Sequence, residues 1–87
     1  MSNSARAPDV VIDAHIGRMI RRRRRQIGLT QHQLALASGV RFQQIQKYES
    51  GANRIAASRL WRISRATGTP LLAFFEGLPD NMDETAS

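Results

Sequence analysis

The chain contains no cysteine in 87 residues. That excludes a disulfide framework and a cysteine-based zinc site. It has no long hydrophobic run: the longest is a handful of residues, against roughly 20 for a bilayer-spanning helix. A membrane-spanning protein is therefore not expected. The opening stretch, MSNSARAPD, lacks the apolar segment of a secretory signal, so a cytoplasmic location is expected. Val, Ile and Thr nowhere alternate with polar residues for long enough to mark a strand. No Ser/His/Asp set, paired carboxylates or glycine-rich phosphate loop is present, so neither catalysis nor a cofactor is expected. His15 and His32 lie far apart with few acids nearby, and read as surface histidines, not as metal ligands.

Acidic residues are also scarce, and unevenly so. Between Ile16 and Phe75 there are twelve basic residues and a single acid, Glu49, so that stretch carries +11 within a chain of net charge +6. From Glu76 to Ser87 the balance reverses, with Glu76, Asp80, Asp83 and Glu84 and no base. A body this basic repels itself unless a polyanion neutralises it, which points to nucleic acid or an anionic membrane surface. Twelve of the thirteen basic residues are Arg, the side chain that forks onto phosphates and guanine edges.

The remaining pattern is helical. Residues 1–9 read as a flexible N-terminal arm, 10–78 as one domain, and 79–87 as an acidic disordered tail. A first helix is expected from about Val11 to Ile27, with Ile16, Ile20 and Ile27 on one stripe. Thr30 is a good N-cap for a second helix over about 30–37, in which Leu34 and Ala35 are the expected buried positions. Ser38-Gly39-Val40 breaks the chain, and a third helix follows over about 41–50. A fourth covers roughly Ala57 to Thr67, and Pro70 suits the first turn of a short fifth helix, LLAFFEG. Trp61, Phe74 and Phe75 read as core aromatics. The expected fold is all-α, a five-helix bundle. The three-residue connection built around Gly39 has the spacing of a helix-turn-helix.

The third helix has two distinct faces. At roughly 100° per residue, Ile45 and Tyr48 share one side, while Gln43, Gln46, Lys47 and Ser50 share the other. That second face has long polar donors and acceptors, one cation and no acid. Gln pairs donor and acceptor with adenine, and Lys favours the acceptor-rich edge of guanine. A helix that enters the major groove by its N-terminal part brings Phe42, Gln43, Gln44, Gln46 and Lys47 to base edges.

The stretch LTQHQLALASGVRFQQIQKYESGANRI resembles the Cro/repressor-type (XRE) helix-turn-helix family, the lambda-repressor-like DNA-binding domains, in a proteobacterial branch. The matching residues are Leu29-Thr30-Gln31, Ala35, Gly39-Val40, Ile45 and Glu49-Ser50-Gly51, and the likeness covers about Ile16 to Gly77. The resemblance implies that Gln31, at the N-terminus of the second helix, contacts backbone phosphate; the alternative is that it only supports the cap. It implies phosphate contacts from Arg41, Ser50, Asn53 and Arg54, of which Asn53 and Arg54 could equally be solvated loop. It also implies that Arg24 pairs with Glu49, the single acid of the basic body. Arg23 is a departure, because many family members have Leu there, and it could compete for Glu49 or snorkel outward. The rest of the run Arg21 to Arg25 is expected to supply field more than contacts. Leu72 stands where the family usually has a polar residue, which marks Leu72 and Phe75 as an expected dimer interface.

The function expected from these residues is a sequence-specific regulator of transcription that binds double-stranded DNA, a repressor acting as a homodimer on a palindromic operator. A small domain buries only about 60% of its extended-chain surface, so pairing would also stabilise it. The alternative is an antitoxin-like or other protein-interaction module that uses the same fold for a partner protein. A peripheral membrane protein would need a basic helix with a bare apolar face, and the first helix needs its isoleucine stripe for the core. No small-molecule ligand is expected.

Overall fold

Leu34, Ile45, Ile63, Ile20 and Phe74 are the largest side chains wholly shielded from solvent, one from each helical element of the chain. The computed structural model describes residues 2–79, with side chains from residue 8 onward. Its elements are α1 (Ser2–Gln26), α2 (Gln31–Ser38), α3 (Phe42–Glu49), α4 (Ala57–Thr67) and a 3-10 helix (Leu71–Phe75). No strand occurs among the described residues. The all-helical expectation holds, but the count of five helices does not: the described residues form four α-helices, and LLAFF forms a 3-10 helix instead. Six residues between Pro70 and a Gly77 with φ +93 leave little room for a continued α-helical ladder, and short 3-10 turns serve as such closing pieces.

Helix α1 starts at Ser2, upstream of Val11 and through the stretch expected as an arm. Pro8 lies inside the helix. The expected tail lies, apart from Pro79, outside the described residues. At the other end α1 stops at Gln26 and the chain turns at Gly28, φ +78, so Ile27 leaves the isoleucine stripe and is exposed.

The α2–α3 connection is fixed by local bonds. Thr30 Oγ1 accepts from Gln33 N at 3.0 Å, and Gln33 Oε1 accepts from Thr30 N at 2.8 Å, a reciprocal capping box. Gly39 ends α2 in the left-handed region, φ 71, its N–H donating to Ala35 O at 2.9 Å. Ser38 Oγ donates to Leu34 O at 2.7 Å and accepts from Val40 N at 3.3 Å, so the buried turn has few idle polar groups.

Ile16, Ile20, Leu34, Val40, Ile45, Tyr48, Leu60, Ile63 and Phe74 form one core. Each such side chain contributes about 1.5–3 kcal/mol when fully buried. Gly17 brings α1 onto the backbone of α3, because a Cβ there would collide with the carbonyl oxygen of Tyr48. The aromatic expectations divide. Phe74 is core, whereas Trp61 is 54% exposed and Phe75 sits at the surface. On α4 the buried residues are Leu60, Ile63, Ser64 and Thr67, the i, i+3, i+4, i+7 stripe. Trp61 falls off that stripe and lies against Arg65, whose guanidinium carbon is 5.4 Å from the ring centre.

Candidate nucleic-acid interface

Helix α3 divides as its sequence indicates. Ile45, Tyr48 and Glu49 are buried, and Gln43, Gln46, Lys47 and Ser50 are exposed. Gln44 and Phe42 occupy the two borders and are half-buried. Arg41 precedes the helix as an exposed N-cap in extended conformation. Ser50 follows it, its hydroxyl donating to Lys47 O at 3.1 Å. The outward face thus presents two glutamines, a lysine and a serine with no carboxylate among them.

What holds that face in place is a junction of three helices. Arg24 Nε donates to Glu49 Oε2 at 2.6 Å and Nη2 to Oε1 at 3.0 Å, a two-pronged pair, while Nη1 donates to Leu29 O at 2.8 Å. Gln31 Nε2 donates to the same Oε1 at 3.0 Å. Glu49 therefore ties α3 to α1 and to the first residue of α2. Both ends of the ion pair are about nine-tenths buried. Such a pair is a weak source of net stability but a firm constraint, because loss of either partner strands a buried charge. Of the two candidate arginines, Arg24 takes Glu49, and Arg23 stays half-buried beside it. Gln31 is brought into this junction by one amide hydrogen, leaving its other hydrogen and its oxygen for a second partner.

An open cleft of about 650 Å³ lies between the C-terminal part of α1, the start of α2 and the end of α3. Arg21, Arg25, Thr30, Gln31, Gln46 and Ser50 line it, and the mutually paired Arg24 and Glu49 form part of its wall. Two arginines expected to supply field more than contacts thus stand beside three of the expected contact residues, Gln31, Gln46 and Ser50, at the α2 N-terminus, a set that suits an anion. The sequence held a signal for this: Arg21 and Arg25 are i, i+4 neighbours flanking Arg24, and only Arg24 has an acid to pair with.

Arg54 lies apart from that cleft. It meets the exposed Asp9 Oδ2 at 3.5 Å and the half-buried Asp13 Oδ2 at 3.7 Å, in loose pairs whose arginine is exposed and which carry little energetic weight. Asn53 is half-buried in the same loop. The acids that face Arg54 come from α1 and were not foreseen. Nor was the position of His32, which stacks on Phe42 with ring centres 3.6 Å apart and planes 8° from parallel. Leu72 and Phe75 are exposed at 78% and 37%, at the far side of the sequence from the α3 face. Among the described residues no group of three or more His, Asp or Glu could hold a metal ion. Nor is any helix of the described residues long and apolar enough to cross a membrane.

A helix-turn-helix family profile matches residues 20–74, which takes in the capped α2, the Gly39 turn, α3 and α4. The chain belongs to the XRE-type helix-turn-helix family. Relatives named as regulators of the same kind are also found. An uncharacterised HTH-type transcriptional regulator of Sinorhizobium medicae is 50% identical over 68 residues, covering 78% of this chain and 49% of its own length. A Rhodospirillum rubrum protein named as an uncharacterised transcriptional regulator in the ATPase CF(0) region is 52% identical over 67 residues, 77% of this chain and 62% of that one. A further HTH-type regulator, of Rickettsia conorii, is 44% identical over 69 residues, 79% of this chain and 55% of that one. The chain thus spans about half to three-fifths of the length of these relatives.

Proposed function

We propose that this chain is a transcriptional regulator that binds double-stranded DNA in the bacterial cytoplasm and reads the major groove with α3, as a repressor and a homodimer on a palindromic operator. The observation that carries the reading is the acid-free outward face of α3, Gln43, Gln46, Lys47 and Ser50, set on a buried Arg24–Glu49–Gln31 junction. Membership of the helix-turn-helix family and relatives named as transcriptional regulators support it. Base edges go to Gln43, Gln46 and Lys47, with Phe42 and Gln44 at the margins. Phosphates go to Gln31, Arg41, Ser50, Asn53 and Arg54, joined by Arg21 and Arg25 from the cleft.

A single helix reads only a few base pairs, and a two-fold dimer doubles the address, with half-sites about 34 Å or 10 bp apart. Exposed Leu72, with Leu71 and Phe75 beside it, is the apolar surface for that pairing. The test has two parts. Titration of a selected duplex at several salt concentrations should give a log–log slope near −5 if about six phosphates are neutralised. Footprinting should show two symmetric half-sites, and Leu72→Glu should shift sedimentation towards monomer. A flat salt response sinks the DNA reading. A single asymmetric half-site with unchanged sedimentation sinks the dimer.

A further inference from the structure

The His32–Phe42 stack is not used by the polar readout described above. Phe42 is the first residue of α3, the end that leads into the groove, and it is the one apolar side chain among Arg41, Phe42, Gln43 and Gln44. Its ring is half-buried, with one face covered by the imidazole of His32 at 3.6 Å between centres. His32 comes from α2, whose position is set by the Thr30 capping box and by the Gln31–Glu49 bond. The stack also borders a shallow and mainly apolar groove completed by Ala35, Leu36, Val40 and Arg41. Leu36 is 86% exposed on that groove.

We infer that Phe42, held by His32, reads the 5-methyl group of a thymine, so that His32 is a positioning residue for base specificity. This inference rests on the DNA-binding reading. In the major groove, the methyl of thymine is the one apolar feature that a base pair displays, and an aromatic ring is among the side chains that contact it. A ring free to rotate at a helix start would lose that preference to conformational averaging, whereas a stacked ring presents one fixed edge. Arg41, next in sequence and exposed, is placed to take the phosphate flanking the same nucleotide.

The experiment selects bound duplexes from a random library with the full chain. Each thymine of the enriched site is then replaced singly by uracil, which lacks only the methyl. For the wild-type protein, uracil at one position should weaken binding about fourfold, the effect of one methyl no longer buried. Phe42→Ala should bind the thymine and uracil duplexes alike. His32→Ala should reduce the discrimination, and His32→Tyr, which can stack in the same way, should restore it. If no thymine of a specifically bound site shows this sensitivity in the wild-type protein, the inference is overturned while DNA binding stands. Retention of the sensitivity by Phe42→Ala overturns it equally. If the library enriches no sequence at all, the inference and the sequence-specific reading fall together.

Discussion

Arg24 and its neighbours Arg21 and Arg25 lie within about one turn of the same helix, yet they serve two different regions. Arg24 is turned into the α1–α2–α3 junction, where Glu49 and the Leu29 carbonyl take up its donors. Arg21 and Arg25 border the open cleft next to Gln31 and Gln46. The junction uses charge to fix geometry, and it needs the only acid between Ile16 and Phe75 to do so. The cleft keeps its charge for something outside the chain. One type of side chain thus builds the frame and, one step along the helix, supplies the field, and the location of a single glutamate decides which.

Breaking the frame should give the largest effect. Glu49→Ala strands the buried Arg24 guanidinium and removes an acceptor from Gln31, and breaking a buried pair in this way costs about 3–5 kcal/mol. Urea denaturation should show a much lower midpoint, and a midpoint equal to wild type would mean that the junction adds no constraint. Gly17→Ala tests the frame at a second point. The methyl would press on the Tyr48 carbonyl, so α1 must shift off α3, at a cost of about 1–3 kcal/mol in the same assay.

Changes to the outward region should leave stability within about 0.5 kcal/mol and act on binding instead. Gln43→Ala and Lys47→Ala should each cost about 1–3 kcal/mol on the preferred duplex and relax base preference locally. The smallest effects belong to the phosphate anchors. Arg21→Ala and Arg54→Ala should each weaken binding to all sequences alike and reduce the salt slope by about 1. A comparison of the two arginines sharpens the contrast, since Arg54 starts in loose pairs with Asp9 and Asp13 and Arg21 faces the open cleft.

The legible parts of the molecule were those governed by local chemistry. Thr30 and Gly39 bound α2 through a cap and a left-handed turn, and both are written in residue types three to four positions apart. The two faces of α3 follow from helical period alone. Glu49 was legible as a structural acid because it is isolated among twelve bases, and its choice of Arg24 came from the family likeness, not from spacing. What depends on the path of the chain in space was not legible. Residues 1–9 read as an arm, although α1 runs through them from Ser2. Trp61 reads as core by its size, but the buried stripe of α4 passes through Leu60 and Ile63 and leaves the indole outside. The His32–Phe42 stack joins the starts of two helices, a proximity that no periodicity within either helix encodes. The roles of Arg21 and Arg25 depend on which residues of α2 and α3 share the cleft with them, for the same reason.

The central claim is that specificity lies on the outward face of α3 and general affinity on the arginines around it. The most direct measurement is the ratio of affinities for the selected duplex and a scrambled one, taken at one salt concentration for wild type, Gln43→Ala, Lys47→Ala and Arg21→Ala. The account predicts that the ratio falls by roughly fivefold or more for each α3 variant, the equivalent of about 1–3 kcal/mol, while Arg21→Ala lowers both affinities and keeps the ratio. A wild-type ratio in both α3 variants, or a ratio lost only in Arg21→Ala, would contradict it.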